Sequence, residues 1–230
     1  MNRSFKLTRL AVAALMLLFG ASLAMADPIT AGDIIRVTSD PNRDTSYGGG
    51  AFLVQEKTGP NTWGPAFQTF CLELNEHIGF GGVYLVNDVS KDAIAGGVAG
   101  GNPDPISMET AWLYYQFRLG APIHPAGSTI AERQRGIQEA IWAFEQEKAL
   151  PATGYAGHYH ALALAAPLDE KQFAYDLVTV INPVTVATDQ SITLRQSLLQ
   201  TPVPEPGSLV LIGSGLLGLA VMGLRRRNRS

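Results

Sequence analysis

The sequence predicts an α+β fold: a mainly antiparallel β-sheet or sandwich-like domain with an inserted helical pair. Three observations lead there. Short runs of β-branched and aromatic residues fill positions 29–89, broken by Gly, Pro, Asn and Asp clusters. Two segments with helical periodicity follow between residues 107 and 148. Strand-like alternation then returns at residues 173–181.

The first half supplies four candidate strands. These are Ile34-Ile35-Arg36-Val37, Ala51-Phe52-Leu53-Val54, residues 66–72 and Val83-Tyr84-Leu85-Val86. Gly48-Gly49-Gly50, with Asp40, Arg43 and Asp44 before it, reads as a polar turn, and so does Gly59-Pro60-Asn61. Residues 96–105 read as a loop. The first helix runs from about Ser107 to Leu119, with Met108, Ala111, Trp112 and Tyr115 on one face and Gly120 as its stop. The second starts at Thr129, because Thr129-Ile130-Ala131-Glu132 is a capping box. Its stripe is Ile130, Ile137, Ile141 and Phe144; it extends to about Lys148, and Pro151 bars continuation. Residues 189–201 fit either a strand or a linker. The domain is therefore expected over residues 27–182, with 183–202 as strand or linker.

Both ends read as processing signals. Arg3, Lys6 and Arg9, an apolar core from Leu10 to Phe19, and Ala24-Met25-Ala26 make residues 1–26 a signal peptide. Near the other end, residues 207–224 carry no charge and are long enough for a transmembrane helix. The basic cluster after them stays in the cytoplasm and leaves the domain outside. Pro204, Glu205 and Pro206, the apolar stretch, and Arg225, Arg226 and Arg227 together resemble the PEP-CTERM sorting signal of Gram-negative bacteria, over residues 203–230. The resemblance implies recognition by an exosortase-type protease and cleavage near the motif. It also implies transient anchoring in the inner membrane, then delivery to the cell surface or an extracellular matrix.

Of 230 residues, 17 are Lys or Arg and 20 are Asp or Glu. Setting aside residues 1–26 and 203–230 leaves 10 basic and 19 acidic residues, a net charge of −9. Such a domain repels phosphate backbones, which argues against nucleic-acid binding. No cofactor is expected. Gly96-Gly97 and Gly100-Gly101 do not follow a strand into a helix as a dinucleotide loop does. His158 and His160 fall on one side of an extended segment but bring too few ligands for a metal.

Cys71 is the only cysteine, so no intramolecular disulfide exists. It is either a small buried hydrophobe or a reactive sulfur. Phe70-Cys71-Leu72, together with Gln138-Glu139-Ala140-Ile141-Trp142, resembles the Cys–Gln thioester domains of bacterial surface adhesins, over about residues 30–182. The resemblance implies that the Cys71 sulfur attacks the Gln138 carboxamide, ammonia leaves, and an internal thioester remains. Ile137 stands where that family usually has Thr. On a helix, Gln138 lies ~60° from Ile141 and so borders the buried stripe. A thioester is a stored acyl donor, so an amine-bearing surface or matrix partner would be captured covalently, without enzymatic turnover. Phe70, Trp142 and Trp112 are candidate shields against water. Glu73 and Glu76 read as solvated strand-end acids, or as groups that orient or protonate the leaving amide. The competing expectation is a noncovalent structural or matrix protein with an inert, buried Cys71. A Cys–His hydrolase lacks any signature around Cys71.

Overall fold

Period-two alternation drives residues 34–90 into antiparallel strands, each burying one side. A computed structural model describes residues 28–202 except Tyr47 and Ala95. The expected signal peptide at 1–26 and transmembrane helix at 207–224 lie outside the described residues.

The strands are β1 (Ile34–Ser39), β2 (Phe52–Gly59), β3 (Thr62–Trp63), β4 (Phe67–Thr69) and β5 (Gly82–Ser90), then a short hairpin of β6 (Asp92–Ala93) and β7 (Asp104–Pro105). Four helices follow: α1 (Met108–Leu119), α2 (Ile130–Phe144), α3 (Ala156–Ala165) and α4 (Leu168–Leu177). The chain returns to the sheet as β8 (Thr179–Val186), β9 (Ile192–Leu194) and β10 (Leu198–Gln200).

The large sheet runs β10-β8-β5-β1-β2-β3, with β4 also on β2 and β9 also on β8. Its neighbours are antiparallel. The sheet then curls until its two ends touch. Cys71, just past β4, forms an antiparallel bridge with Leu198 of β10. The Leu72 N–H donates to the Ser197 carbonyl at 3.2 Å, and the Thr69 hydroxyl donates to the Leu199 carbonyl at 2.6 Å. The expected antiparallel sheet is present, and it closes on itself as a small barrel rather than packing as a two-sheet sandwich. One sheet that rolls up needs no second sheet to cover its inner face.

Alternation sorts side chains between two cores. Ile35, Val37, Phe52, Val54, Cys71, Tyr84, Val86, Ile181 and Leu198 fill the barrel. Their neighbours Phe70, Leu72, Val180 and Leu199 point outward, against Leu113, Tyr114, Ile137 and Ile141 of α1 and α2. A latch holds the ends of this unit: the Gln200 carboxamide accepts from the Ile29 N–H at 3.1 Å and donates to the Ile29 carbonyl at 2.8 Å.

Helix α1 starts at its Ser107 cap and ends at left-handed Gly120, and α2 carries the capping box of Thr129 and Glu132, as the residues predict. Three expectations change. The helical pair becomes four helices. Residues 173–177 are helix, and the strand starts only at Thr179. Helix α2 stops at Phe144, four residues early. Its departing chain turns Glu145 onto the N–H and hydroxyl of Ser107, at 3.2 and 2.8 Å. Glu147 accepts from the N–H groups of Leu74, Val98 and Ala99, at 2.7, 2.9 and 3.3 Å. Continuing the helix would leave those loop donors unpaired. The segment left open between strand and linker contains β9 and β10, so the sheet continues to Gln200.

Leu198 is fully buried in the barrel, whereas Ile192 of β9 is 59% exposed. Leu198→Ala is expected to cost ~2–5 kcal/mol of stability. Ile192→Ala should stay within about 0.5 kcal/mol of wild type. Urea midpoints of the two variants check the contrast.

Candidate functional site

The site begins as a gap in a ladder. In the β2–β4 register Phe52 faces Thr69 and Leu53 faces Gln68. Continued by two residues, that register sets Gly50 opposite Cys71. There the ladder has already ended, and a side chain from α2 fills the space. The Cys71 N–H donates to Gln138 Oε1 at 3.0 Å, and Gln138 Nε2 donates to the Cys71 carbonyl at 2.9 Å. The Gly50 N–H also points at Oε1, at 3.5 Å. Cys71 needs these bonds. In its bridge with Leu198 the interstrand bond comes from Leu72, so its own N–H and carbonyl face away from β10. Helix α2 anchors Gln138 through Ile137 and Ile141, both fully buried, and Gln138 itself has no exposed surface.

Glycines permit the approach. A Cβ on Gly49 would lie 2.6 Å from both Gln138 Cγ and the Trp142 ring. Gly50 has φ +112°, a conformation that only glycine adopts cheaply. Arg43 secures this loop by donating from Nη1 to the Gly49 carbonyl at 3.2 Å, and its guanidinium lies 4.8 Å over the Phe80 ring. Gly49, Gly50 and Arg43 are thus parts of the site that the sequence reading placed in an ordinary turn. The run of three glycines directly before a strand was the available signal.

The geometry bears on reactivity. Attack on Gln138 Cδ pushes charge onto Oε1, and the N–H groups of Cys71 and Gly50 already point there. The Cys71 thiol is 4% exposed. Burial raises its pKa well above the ordinary value; the Glu73 carboxylate adds to the rise and Arg43 opposes it. The thiol therefore needs a proton acceptor before it becomes a nucleophile.

Glu73 corrects an expectation. It is not solvated but 1% exposed. Its Oε2 accepts from Gln196 Nε2 at 2.9 Å and from the Ser197 N–H at 3.2 Å, while Oε1 has no hydrogen-bond partner. Burial first, and the Glu76 carboxylate second, push its pKa from 4.5 up to about 8. Glu76, half-buried, is raised by burial and then by Glu147.

Of the three aromatic candidates for shielding, Trp142 shares the barrel cluster with Cys71. Phe70 lies in the helical core, its ring edge-on to Phe117 at 5.0 Å. Trp112 also belongs to that core, and its Nε1 donates to Glu170 at 3.4 Å. His158 and His160 lie on helix α3 rather than on an extended segment. His158 contacts the Ile123 carbonyl at 3.0 Å and His160 stacks on Phe144. Among the described residues no group of three His, Cys, Asp or Glu is placed to hold a metal. Pro204, Glu205, Pro206, Arg225, Arg226 and Arg227 lie outside the described residues.

Residues 202–227 match the PEP-CTERM protein-sorting motif. The chain thus carries the signal of an exported protein processed by an exosortase. No curated protein and no solved structure matches it.

Two outcomes follow for stability. Folding raises the Glu73 pKa, so the folded state holds a proton that the unfolded chain releases. This stabilising contribution is full below pH 4.5 and is lost as pH rises to about 8. Glu73→Gln should flatten that slope in urea midpoints taken across the range. Gly49→Ala forces a methyl against Gln138 and Trp142 and is expected to cost about 1–3 kcal/mol. Its Cys71 should also react faster with a thiol reagent.

Proposed function

We propose that this chain is an exported surface protein that binds its partner covalently, through an internal thioester between Cys71 and Gln138. One observation carries the reading: the Gln138 carboxamide is hydrogen-bonded to both backbone polar groups of Cys71, in a water-excluded gap. The sorting motif supports the setting, since an exported protein meets foreign surfaces.

In this mechanism the sulfur bonds to Gln138 Cδ, the C–N bond breaks, and one ammonia leaves. The thioester holds acyl-transfer potential because a thiolate leaves more readily than an amide nitrogen. A partner amine then attacks Cδ, an amide forms, and the Cys71 thiol is released. Each chain reacts once, so this is attachment rather than enzymatic turnover. Trp142 and the Gly49–Gly50 turn close the gap to water. The partner is an amine-bearing molecule of a cell surface or matrix. The domain's net charge of −9 favours partners whose amines are protonated in solution.

A second reading has its own support. The same two hydrogen bonds brace the barrel seam without any reaction, and burial holds the thiol in its protonated form. In that case the protein is a noncovalent structural or matrix component with an inert Cys71.

Intact mass separates the two. The covalent reading expects the purified chain to weigh one ammonia less than its sequence. It also expects Cys71 to resist thiol reagents until methylamine is added, whereupon the mass rises by one methylamine. Neither behaviour should occur in Cys71→Ala or Gln138→Ala. A chain of full mass with a merely buried thiol leaves the noncovalent reading.

A further inference from the structure

Gln134 is a buried polar side chain that no bond of the fold uses. It is 1% exposed, and among the described residues neither its Oε1 nor its Nε2 has a hydrogen-bond partner. A buried carboxamide with both ends unpaired is costly and calls for a reason. Gln138, one turn further along α2, is the contrast: both ends of its carboxamide are bonded to Cys71.

Position supplies the reason. Ile130, Gln134, Gln138 and Trp142 stand four residues apart, so they form one row along α2, with about 5–6 Å between successive Cβ atoms. The row leads from the surface inward. Ile130 is 52% exposed, whereas Gln134, Gln138 and Trp142 are buried. Gln134 is therefore the last group passed on the way to Gln138. The segment before β2 runs beside the same row. Asp44 pairs with Arg135, the neighbour of Gln134, at 3.4 Å, and Gly49 packs on Gln138 and Trp142.

We propose, building on the thioester reading, that Gln134 is the amine-binding residue, whose carboxamide receives the partner's primary amine and holds it for attack on Gln138. The amine gives its extra proton to solvent on entry, because burial favours the neutral form. Oε1 of Gln134 accepts one N–H of the amine, which leaves the nitrogen lone pair free. That pair attacks Gln138 Cδ. The carbonyl electron pair moves onto Gln138 Oε1, where the N–H groups of Cys71 and Gly50 receive it. On collapse the C–S bond breaks, and the surplus proton on nitrogen passes to the departing sulfur. Thioester and amine become amide and thiol, and Gln134 is unchanged. The unpaired carboxamide is thus a vacancy kept for the nucleophile.

The test compares wild type with Gln134→Met, which keeps the length of the side chain and removes both polar atoms. The full chain is held in detergent, methylamine is added, and intact mass is followed over time. Before the addition, Gln134→Met should weigh one ammonia less than its sequence and shield Cys71 from a thiol reagent, as wild type does. Its urea midpoint should equal or exceed that of wild type, since two unpaired buried atoms are gone. Its gain of methylamine should be slower by roughly 10-fold or more, the loss of one hydrogen bond in a buried site. A gain at the wild-type rate overturns the proposal and spares the thioester. A midpoint well below wild type, or a failure to fold, means that the carboxamide is bonded within the fold, and overturns it equally. So does a folded variant that keeps its ammonia, which assigns Gln134 to thioester formation instead. Wild type of full mass, read before any variant, overturns the thioester itself and the amine site with it.

Discussion

The structure hinges on how Cys71 satisfies its own backbone. A strand residue has one N–H and one carbonyl, and burial makes each of them demand a partner. At Cys71 the β2–β4 ladder has ended on one side, and the bridge to β10 is bonded through Leu72 on the other. The carboxamide of Gln138 takes the place of the missing strand, offering an acceptor and a donor at the spacing a peptide would. That one insertion ties helix α2 to the barrel, dictates glycine at position 49, and holds the closing seam. The barrel and the helical layer are separate cores that this side chain joins.

Acidic residues perform a related task elsewhere. Glu145 bonds the N-terminal cap of α1, and Glu147 gathers N–H groups from two loops. Each carboxylate replaces secondary structure where the chain is irregular, and each is well bonded in doing so. Glu73 does the same for Gln196 and Ser197 through one oxygen, and Oε1 of Glu73, like Oε2 of Glu76, is left without a hydrogen bond among the described residues.

Legibility in the sequence followed how local each signal was. The capping box at Thr129, the stop at Gly120 and the strands around Val37, Val54 and Val86 depend on neighbours in sequence, and they emerged as read. Helix α3 escaped because AGHYHALALA has no apolar stripe to count; it buries only Ala156, Tyr159 and Ala163. Helix α4 escaped because Phe173 and Tyr175 alternate like a strand, although Ala174 between them is the one residue it buries. Barrel closure depends on residues 71 and 198 meeting, which no local pattern encodes. The candidate site divides the same way. Cys71 and Gln138 were legible as a pair of motifs, whereas Glu73 stayed open between a solvated strand-end acid and a group acting on the leaving amide, since its burial is conferred by Gln196 and Ser197 more than a hundred residues later.

The latch between Ile29 and Gln200 and the seam beside it place the last strand at the centre of the fold. Synthesis delivers the strands in chain order, from the N-terminus onward. Every earlier strand can emerge and pair while the barrel still gapes, but residues 196–200 are delivered last, immediately ahead of the sorting motif. Closure therefore waits on the end of the domain's own sequence. The packed interior that holds Cys71 is complete only once residues 196–200 have joined it.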